Sequence, residues 1–222
     1  MCGRFVIKAS WAELREWNNL VRPEDYGRND PERHNVIPTQ MVPFVIRHDG
    51  QNEVRDGQWW LVPAWAKANV KKYPTFNAKS ETAHEKSSFK ASLKSKRCLI
   101  PADAYIEWTK NADDGGKDPH VIHMPDWESF AFAGLWAYNK QLDLLSCTVL
   151  TAPAVPEIEH LHKRMPIILK QSAFDAWLDP DKGTQEAMAL YGENRNSELV
   201  SYQVGRAINK NDATGAELLE AI

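Results

Sequence analysis

The second residue of this chain is a cysteine. Once Met1 is removed, Cys2 presents an α-amine and a thiol on adjacent carbons. Such groups titrate at about 7.7–8.0 and about 8.5, so each offers a useful nucleophilic fraction near neutrality. An aldehyde condenses with the amine to an imine, and the thiol then closes a five-membered thiazolidine ring. That closure is intramolecular and carries a large effective-molarity advantage. On position alone, Cys2 is equally a small residue behind a start methionine. Its neighbours strengthen the chemical reading. Gly3 lets the backbone approach a ligand closely, and Arg4 has the forked geometry that clamps a phosphate.

Three further groups have the right types for proton work. In Tyr105-Ile106-Glu107-Trp108, strand alternation sets Glu107 on the face opposite Ile106 and Trp108. A carboxyl among aromatic and aliphatic neighbours has a raised pKa, which suits a general acid or base. The plainer reading is a strand glutamate facing solvent. His162 follows His160 in a polar stretch before the apolar run Ile167-Ile168-Leu169, and histidine shuttles protons near neutral pH. His160-x-His162 has no cysteine or carboxylate at ligand spacing, so neither a metal nor another cofactor is expected. Asn77 can donate and accept at once, although an isolated asparagine is more often a turn residue. The tryptophans Trp59, Trp60, Trp65 and Trp108 are candidates to stack on bases, but nine tryptophans in one domain mostly mean core.

The elements that must position these groups follow from pattern. Ser10-Trp11-Ala12-Glu13 is a capping box, and Trp11, Leu14 and Trp17 continue it at helical spacing. Residues 41–46 read as a strand, Asp49-Gly50 as a hairpin turn and 53–61 as the return. Further strands are expected at 99–100, 104–110, 121–124, 130–138, 144–151 and 200–204. Asn111-Ala112-Asp113-Asp114-Gly115-Gly116-Lys117-Asp118 reads as a turn-rich connection. Helices are expected at 171–178 and 184–192, with a short one before His160. Many strands in series with helices between them predict one α+β domain over 1–222. Its sheet should be mainly antiparallel and barrel-like, with peripheral helices.

Composition narrows the setting. The chain has 222 residues, 43% of them hydrophobic, which is enough for one sizeable core. It has no apolar run of membrane-spanning length and no signal-peptide pattern, so a cytoplasmic or nucleoid location without membrane contact is expected. Cys98 and Cys147 lie in apolar runs and read as buried core thiols rather than disulfide partners. The net charge is −3, yet residues 67–97 hold nine bases against two acids, and 171–222 hold nine acids against four bases. Such polarity allows a phosphate-facing side, although a lysine-rich solvated face is the simpler reading.

Taken in order, several motifs resemble one family. They are Met1-Cys2-Gly3-Arg4-Phe5, Arg33-His34-Asn35-Val36-Ile37-Pro38, Trp60-Leu61-Val62-Pro63-Ala64-Trp65 and Asn77-Ala78-Lys79-Ser80-Glu81-Thr82. Then come Arg97-Cys98-Leu99-Ile100-Pro101-Ala102-Asp103 through Glu107-Trp108, Phe132-Ala133-Gly134-Leu135-Trp136 and His162-Lys163-Arg164-Met165-Pro166. The ordered set resembles the SRAP family, proteins that crosslink to abasic sites in single-stranded DNA.

The resemblance implies that Cys2 forms the covalent link and that Asn77, Glu107 and His162 line the site. It further implies that Arg4, Lys79, Trp108 and Arg164 hold the DNA backbone or flanking bases. Pro38, Thr39 and Gln40 fall where the family separates strands or kinks DNA beside the lesion. The chain departs from the family at Trp60 and Ala104, where glycine is usual, and at Lys79, where arginine is common. A lysine there weakens bidentate phosphate recognition. The implied function is a monomeric, cofactor-free sensor that traps the ring-opened abasic sugar as a thiazolidine. The alternative is an N-terminal-nucleophile cysteine peptidase, whose narrowest form cuts only its own Met1–Cys2 bond. A third reading is a non-covalent single-strand binder.

Overall fold

The computed structural model describes residues 2–14, 28, 30–68 and 73–222. The first elements are β1 (Phe5–Ile7), α1 (Trp11–Leu14), β2 (Arg33–Val36), β3 (Met41–His48), β4 (Gln51–Trp59) and β5 (Asn77–Lys79). A helix, α2 (Lys90–Ser95), leads into β6 (Arg97–Ala102), β7 (Ala104–Lys110), β8 (Lys117–His123), β9 (Phe130–Asn139) and β10 (Leu144–Pro153). After α3 (Pro156–Glu159) come β11 (Arg164–Pro166), β12 (Ile168–Leu169), α4 (Phe174–Leu178), α5 (Thr184–Glu193) and β13 (Val200–Gln203).

Local chemistry explains the surest of these. Ser10 and Glu13 cap α1 reciprocally: the Ser10 N–H donates to Glu13 Oε2 at 2.7 Å, and the Glu13 N–H to Ser10 Oγ at 3.3 Å. The expected continuation to Trp17 lies outside the described residues. Asp49 and Gly50 both have positive φ, 48° and 76°, the geometry that closes a two-residue hairpin between β3 and β4. The strand expected at 99–100 is longer, and β6 carries Pro101 inside it, opposite Ala131 of β9.

Two sheets result. The smaller runs β13-β8-β7-β1-β2, all antiparallel. In the larger, β4, β3, β6 and β9 are antiparallel neighbours. Strand β10 then pairs antiparallel with β9 and parallel with β4, which brings the strands round into a barrel-like ring. The α+β, mainly antiparallel expectation holds, with parallel β10–β4 and β10–β5 pairings as additions.

Alternate residues feed different cores. Phe44, Ile46, Cys98 and Ile100 join Cys2, Phe5 and Tyr105 in a cluster that ties the two sheets together. Val45 and Leu99 point the other way, into a cluster with Leu93, Trp177 and Tyr191 of the helices. Each large apolar side chain buried this way contributes about 1.5–3 kcal/mol. A third cluster packs Val6, Ala104, Ile106 and Val121 against Val204, Ile208, Leu218 and Leu219 near the C-terminus. Packing between strands is close: a Cβ on Gly134 would lie 2.7 Å from Cys98 Sγ.

Candidate functional site

Cys2 is brought to its place by β1. Phe5 pairs with Tyr105, and the Ile106 N–H donates to Arg4 O at 3.0 Å, so the chain before Phe5 runs beside the second half of β7. Cys2 is fully buried, and its thiol lies 3.6 Å from Arg4 O. Burial and the negative charge of Glu107 push this thiol far above its ordinary range. The proton therefore stays on sulfur until a group nearby receives it.

Asn77 reaches Cys2 from the other sheet. Strand β5 is only three residues long, yet its parallel pairing with β10, Asn77 opposite Val149, fixes it. The Asn77 amide donates to Cys2 O at 2.7 Å. Its Oδ1 and the hydroxyl of Tyr105 are buried with no hydrogen-bond partner among the described residues. A buried polar atom in that condition costs about 1–3 kcal/mol, a strain typical of sites that await a ligand.

Glu107 lies where alternation places it. Ile106 faces the third core cluster with Trp108 packed against it, while Glu107 points toward Cys2 and is 2% exposed. Burial raises its carboxyl above the usual range, and the charge of His162 opposes the shift. His162 follows α3, half-buried. His162 Nδ1 lies 3.0 Å from both the backbone N–H and the carbonyl oxygen of Arg164, which fixes the ring against β11. Glu107 and His162 line one cavity of about 490 Å³, together with Trp108, Thr109, Lys110, Gly115 and Lys117. The arrangement can hold a proton on a carboxyl, pass it to an imidazole and keep a thiol out of water.

The residues expected to meet DNA fall into different surroundings. Lys79 is exposed beside the site strand. Trp108 is half-buried, with its indole N–H held by Asn209 Oδ1 at 2.6 Å. Arg164 is paired: its guanidinium meets Glu81 through two bonds of 2.8 and 2.9 Å and also donates to Thr151 O. Glu81 drops to about 2, chiefly through that hydrogen bond. The half-buried turn Pro38-Thr39-Gln40 holds Thr39 at φ 82°, a strained value for a β-branched residue, and is tied to β4 by Thr39 N–H to Trp59 O.

Arg4 departs most from expectation. Its side chain is buried, and its guanidinium donates to Asn35 Oδ1, Lys210 O, Asn209 O and Asn211 Oδ1. It thus anchors the C-terminal segment against β1 and β2, and these bonds occupy the fork that sequence reasoning turned toward a phosphate. Three of these four partners lie about two hundred residues away, so no local signal announced them. Sequence reasoning also missed Tyr105, which reads as a core aromatic, and the two lysines of the cavity.

A second pocket of about 330 Å³ lies between Trp60, Leu61, Pro63, Trp65 and Tyr73, and none of Cys2, Asn77, Glu107 or His162 lines it. Among the described residues no cluster of His, Cys, Asp and Glu is arranged to hold a metal, and no helix is long and apolar enough to cross a membrane.

Comparison with known proteins adds to this geometry. A family model described as SOS response associated peptidase (SRAP) matches residues 1–211. Abasic site processing protein YoqW of Bacillus subtilis (strain 168) is 33% identical over 225 residues, spanning 100% of both chains. Abasic site processing protein YoaM of the same organism is 32% identical, covering 100% of this chain and 98% of its own. A crystal structure of a protein from Bacteroides thetaiotaomicron has the same fold, with a TM-score of 0.80, 22% identity and full coverage of both chains.

Proposed function

The chain belongs to the SOS response associated peptidase (SRAP) family, and from that premise we propose that it processes abasic sites in DNA by linking itself to them through Cys2. The observation that carries the reading is the convergence on Cys2 of the Asn77 amide and the buried Glu107 carboxyl, with His162 in the same cavity as Glu107.

The chemistry balances without a cofactor. Hydrolysis of the Met1–Cys2 bond frees the amine. The abasic sugar must open before its aldehyde is exposed, which moves one proton from the ring hydroxyl to the ring oxygen. The amine nitrogen then bonds to the aldehyde carbon, giving a carbinolamine. Glu107, its carboxyl raised by burial, supplies the proton with which hydroxide leaves as water and takes back the proton that nitrogen loses as the C=N bond forms. The thiol adds across the C=N bond, its sulfur to carbon and its proton to nitrogen. One aldehyde and one aminothiol thus become one thiazolidine and one water. His162 relays protons during ring opening, and Asn77 holds the Cys2 backbone while the new bonds form.

Single-stranded DNA is the substrate form that suits a covalent trap, because an unpaired sugar can open and turn toward a buried nucleophile. Lys79, Trp108 and the Pro38-Thr39-Gln40 turn are the groups available to hold the flanking strand. Arg4 supports the site from behind by fixing the C-terminal segment.

The test incubates the protein with abasic and intact single-stranded oligonucleotides and resolves them on a denaturing gel. A slower band that requires the abasic site supports the reading. Its absence, with peptide cleavage in a parallel digest, would support the thiol peptidase instead.

A further inference from the structure

The cavity that holds Glu107 and His162 is also lined by two lysines that the catalytic chemistry does not use. Lys110 closes β7, Lys117 opens β8, and the two stand directly opposite each other across the hairpin. Both are exposed, and neither forms an ion pair among the described residues. Like charges placed opposite on a ladder repel each other, so this pairing is unfavourable for the hairpin by itself.

Two acids of the same hairpin, Asp114 and Asp118, are already matched. Arg206 binds Asp114 and Asp118, and Asn111 donates to Asp118 Oδ2 at 2.7 Å. Those two acids are therefore taken up by Arg206 and not by the lysine pair. The hairpin is also fixed in place. Asn209 accepts from the Trp108 indole and donates to Lys117 O at 3.0 Å, which bolts both strands to the C-terminal turn. Two cations on opposed strands beside a cavity favour an anion there.

We propose that Lys110 and Lys117 clamp the phosphodiester backbone of the strand that enters the Glu107–His162 cavity. The proposal rests on the reading of the cavity as the abasic-site pocket. It adds a phosphate contact on the β7–β8 hairpin, away from the basic segment 67–97. The clamp acts on DNA affinity and leaves the bond-forming steps to Cys2, Glu107 and His162.

The experiment compares wild type with the double variant K110Q/K117Q. Binding to an intact single-stranded oligonucleotide is measured by fluorescence anisotropy across a salt series, and crosslinking to an abasic oligonucleotide is timed over a range of DNA concentrations. Two lost contacts should reduce the slope of log affinity against log salt by about 1.4, at about 0.7 per phosphate on a single strand. Affinity at low salt should fall about tenfold. The half-saturating concentration for crosslinking should rise in step, while the rate at saturation stays within about twofold of wild type. An unchanged salt slope and half-saturation would overturn the clamp. If wild type binds the intact strand but gives no abasic-dependent adduct, the crosslinking reading fails while the salt series still decides the clamp. Should the double variant lose its circular-dichroism spectrum, K110Q and K117Q made singly must each lower the slope by about 0.7, or the proposal falls.

Discussion

Cys98 and Cys147 sit on β6 and β10, both paired with β9, and both are as fully buried as Cys2. Burial raises all three thiols far above their ordinary range. The two regions differ in what accompanies the sulfur. Around Cys98 lie Gly134 and Ile100, and its electrostatic neighbour is another thiol, Cys147. Around Cys2 lie an asparagine amide and a carboxyl whose pKa burial raises, with a phenol on the neighbouring strand position. Burial alone makes a cysteine inert. A buried cysteine beside polar groups that can hold and move protons, with a freed amine on the next carbon, is equipped for covalent chemistry.

The sharpest way to break this comparison is to remove each sulfur in turn. Cys2→Ala should abolish the denaturant-resistant adduct with abasic DNA while largely keeping non-covalent binding. Cys98→Ala and Cys147→Ala should keep the adduct and cost about 1 kcal/mol of stability each, read by urea unfolding. A stable adduct on Cys2→Ala protein would make a lysine the nucleophile.

The next effect concerns the groups around Cys2. Glu107→Gln and His162→Ala should slow adduct formation by about 10²–10⁴-fold, the usual cost of losing a general acid or base. Because Glu107 keeps its proton above the ordinary carboxyl range, the wild-type rate should decline as pH rises through its raised pKa. Glu107→Gln should lose that decline. Quenched time courses from pH 5 to 9 measure both, and wild-type rates in both variants would leave these residues as structural.

Arg4 sharpens the contrast between a cation that builds the fold and cations proposed to meet the strand. Arg4→Ala frees four acceptors and should cost about 2–3 kcal/mol, with the C-terminal segment losing hydrogen-exchange protection. The salt slope of DNA binding should not change. A changed slope with unchanged stability would return Arg4 to the phosphate-binding set.

The smallest effect belongs to the Arg164–Glu81 pair. The Glu81 carboxyl is held down at about 2, so the pair stabilises the fold above the ordinary carboxylate range, and that contribution is lost as pH falls toward about 2. Glu81 is partly exposed, so the contribution stays below about 1 kcal/mol. Glu81→Gln should remove this part of the acid limb in a pH series of thermal unfolding.

These regions also show what a sequence reveals. The capping box at Ser10, the Asp49-Gly50 turn and the alternation that turns Glu107 away from Ile106 are local, and each was legible. Strand β5 was not, because three residues become a strand only through pairing with β10, some seventy positions later. Asn77 therefore read as a turn residue. Helix α2 was hidden inside a lysine-rich stretch that read as a charged surface. Arg4 reads as a phosphate clamp, while in the fold its acceptors are backbone carbonyls and side-chain amides. Lys110 and Lys117 bracket a segment that reads as a turn, and their shared cavity exists only once Glu107 and His162 are in place.

The most direct test of the central claim is mass spectrometry of the wild-type protein after reaction with an abasic oligonucleotide and nuclease digestion. The account predicts a sugar remnant on a peptide that starts at Cys2, lacks Met1 and carries the mass of one aldehyde less one water. A remnant on a lysine, or on a peptide that still begins with Met1, would contradict it.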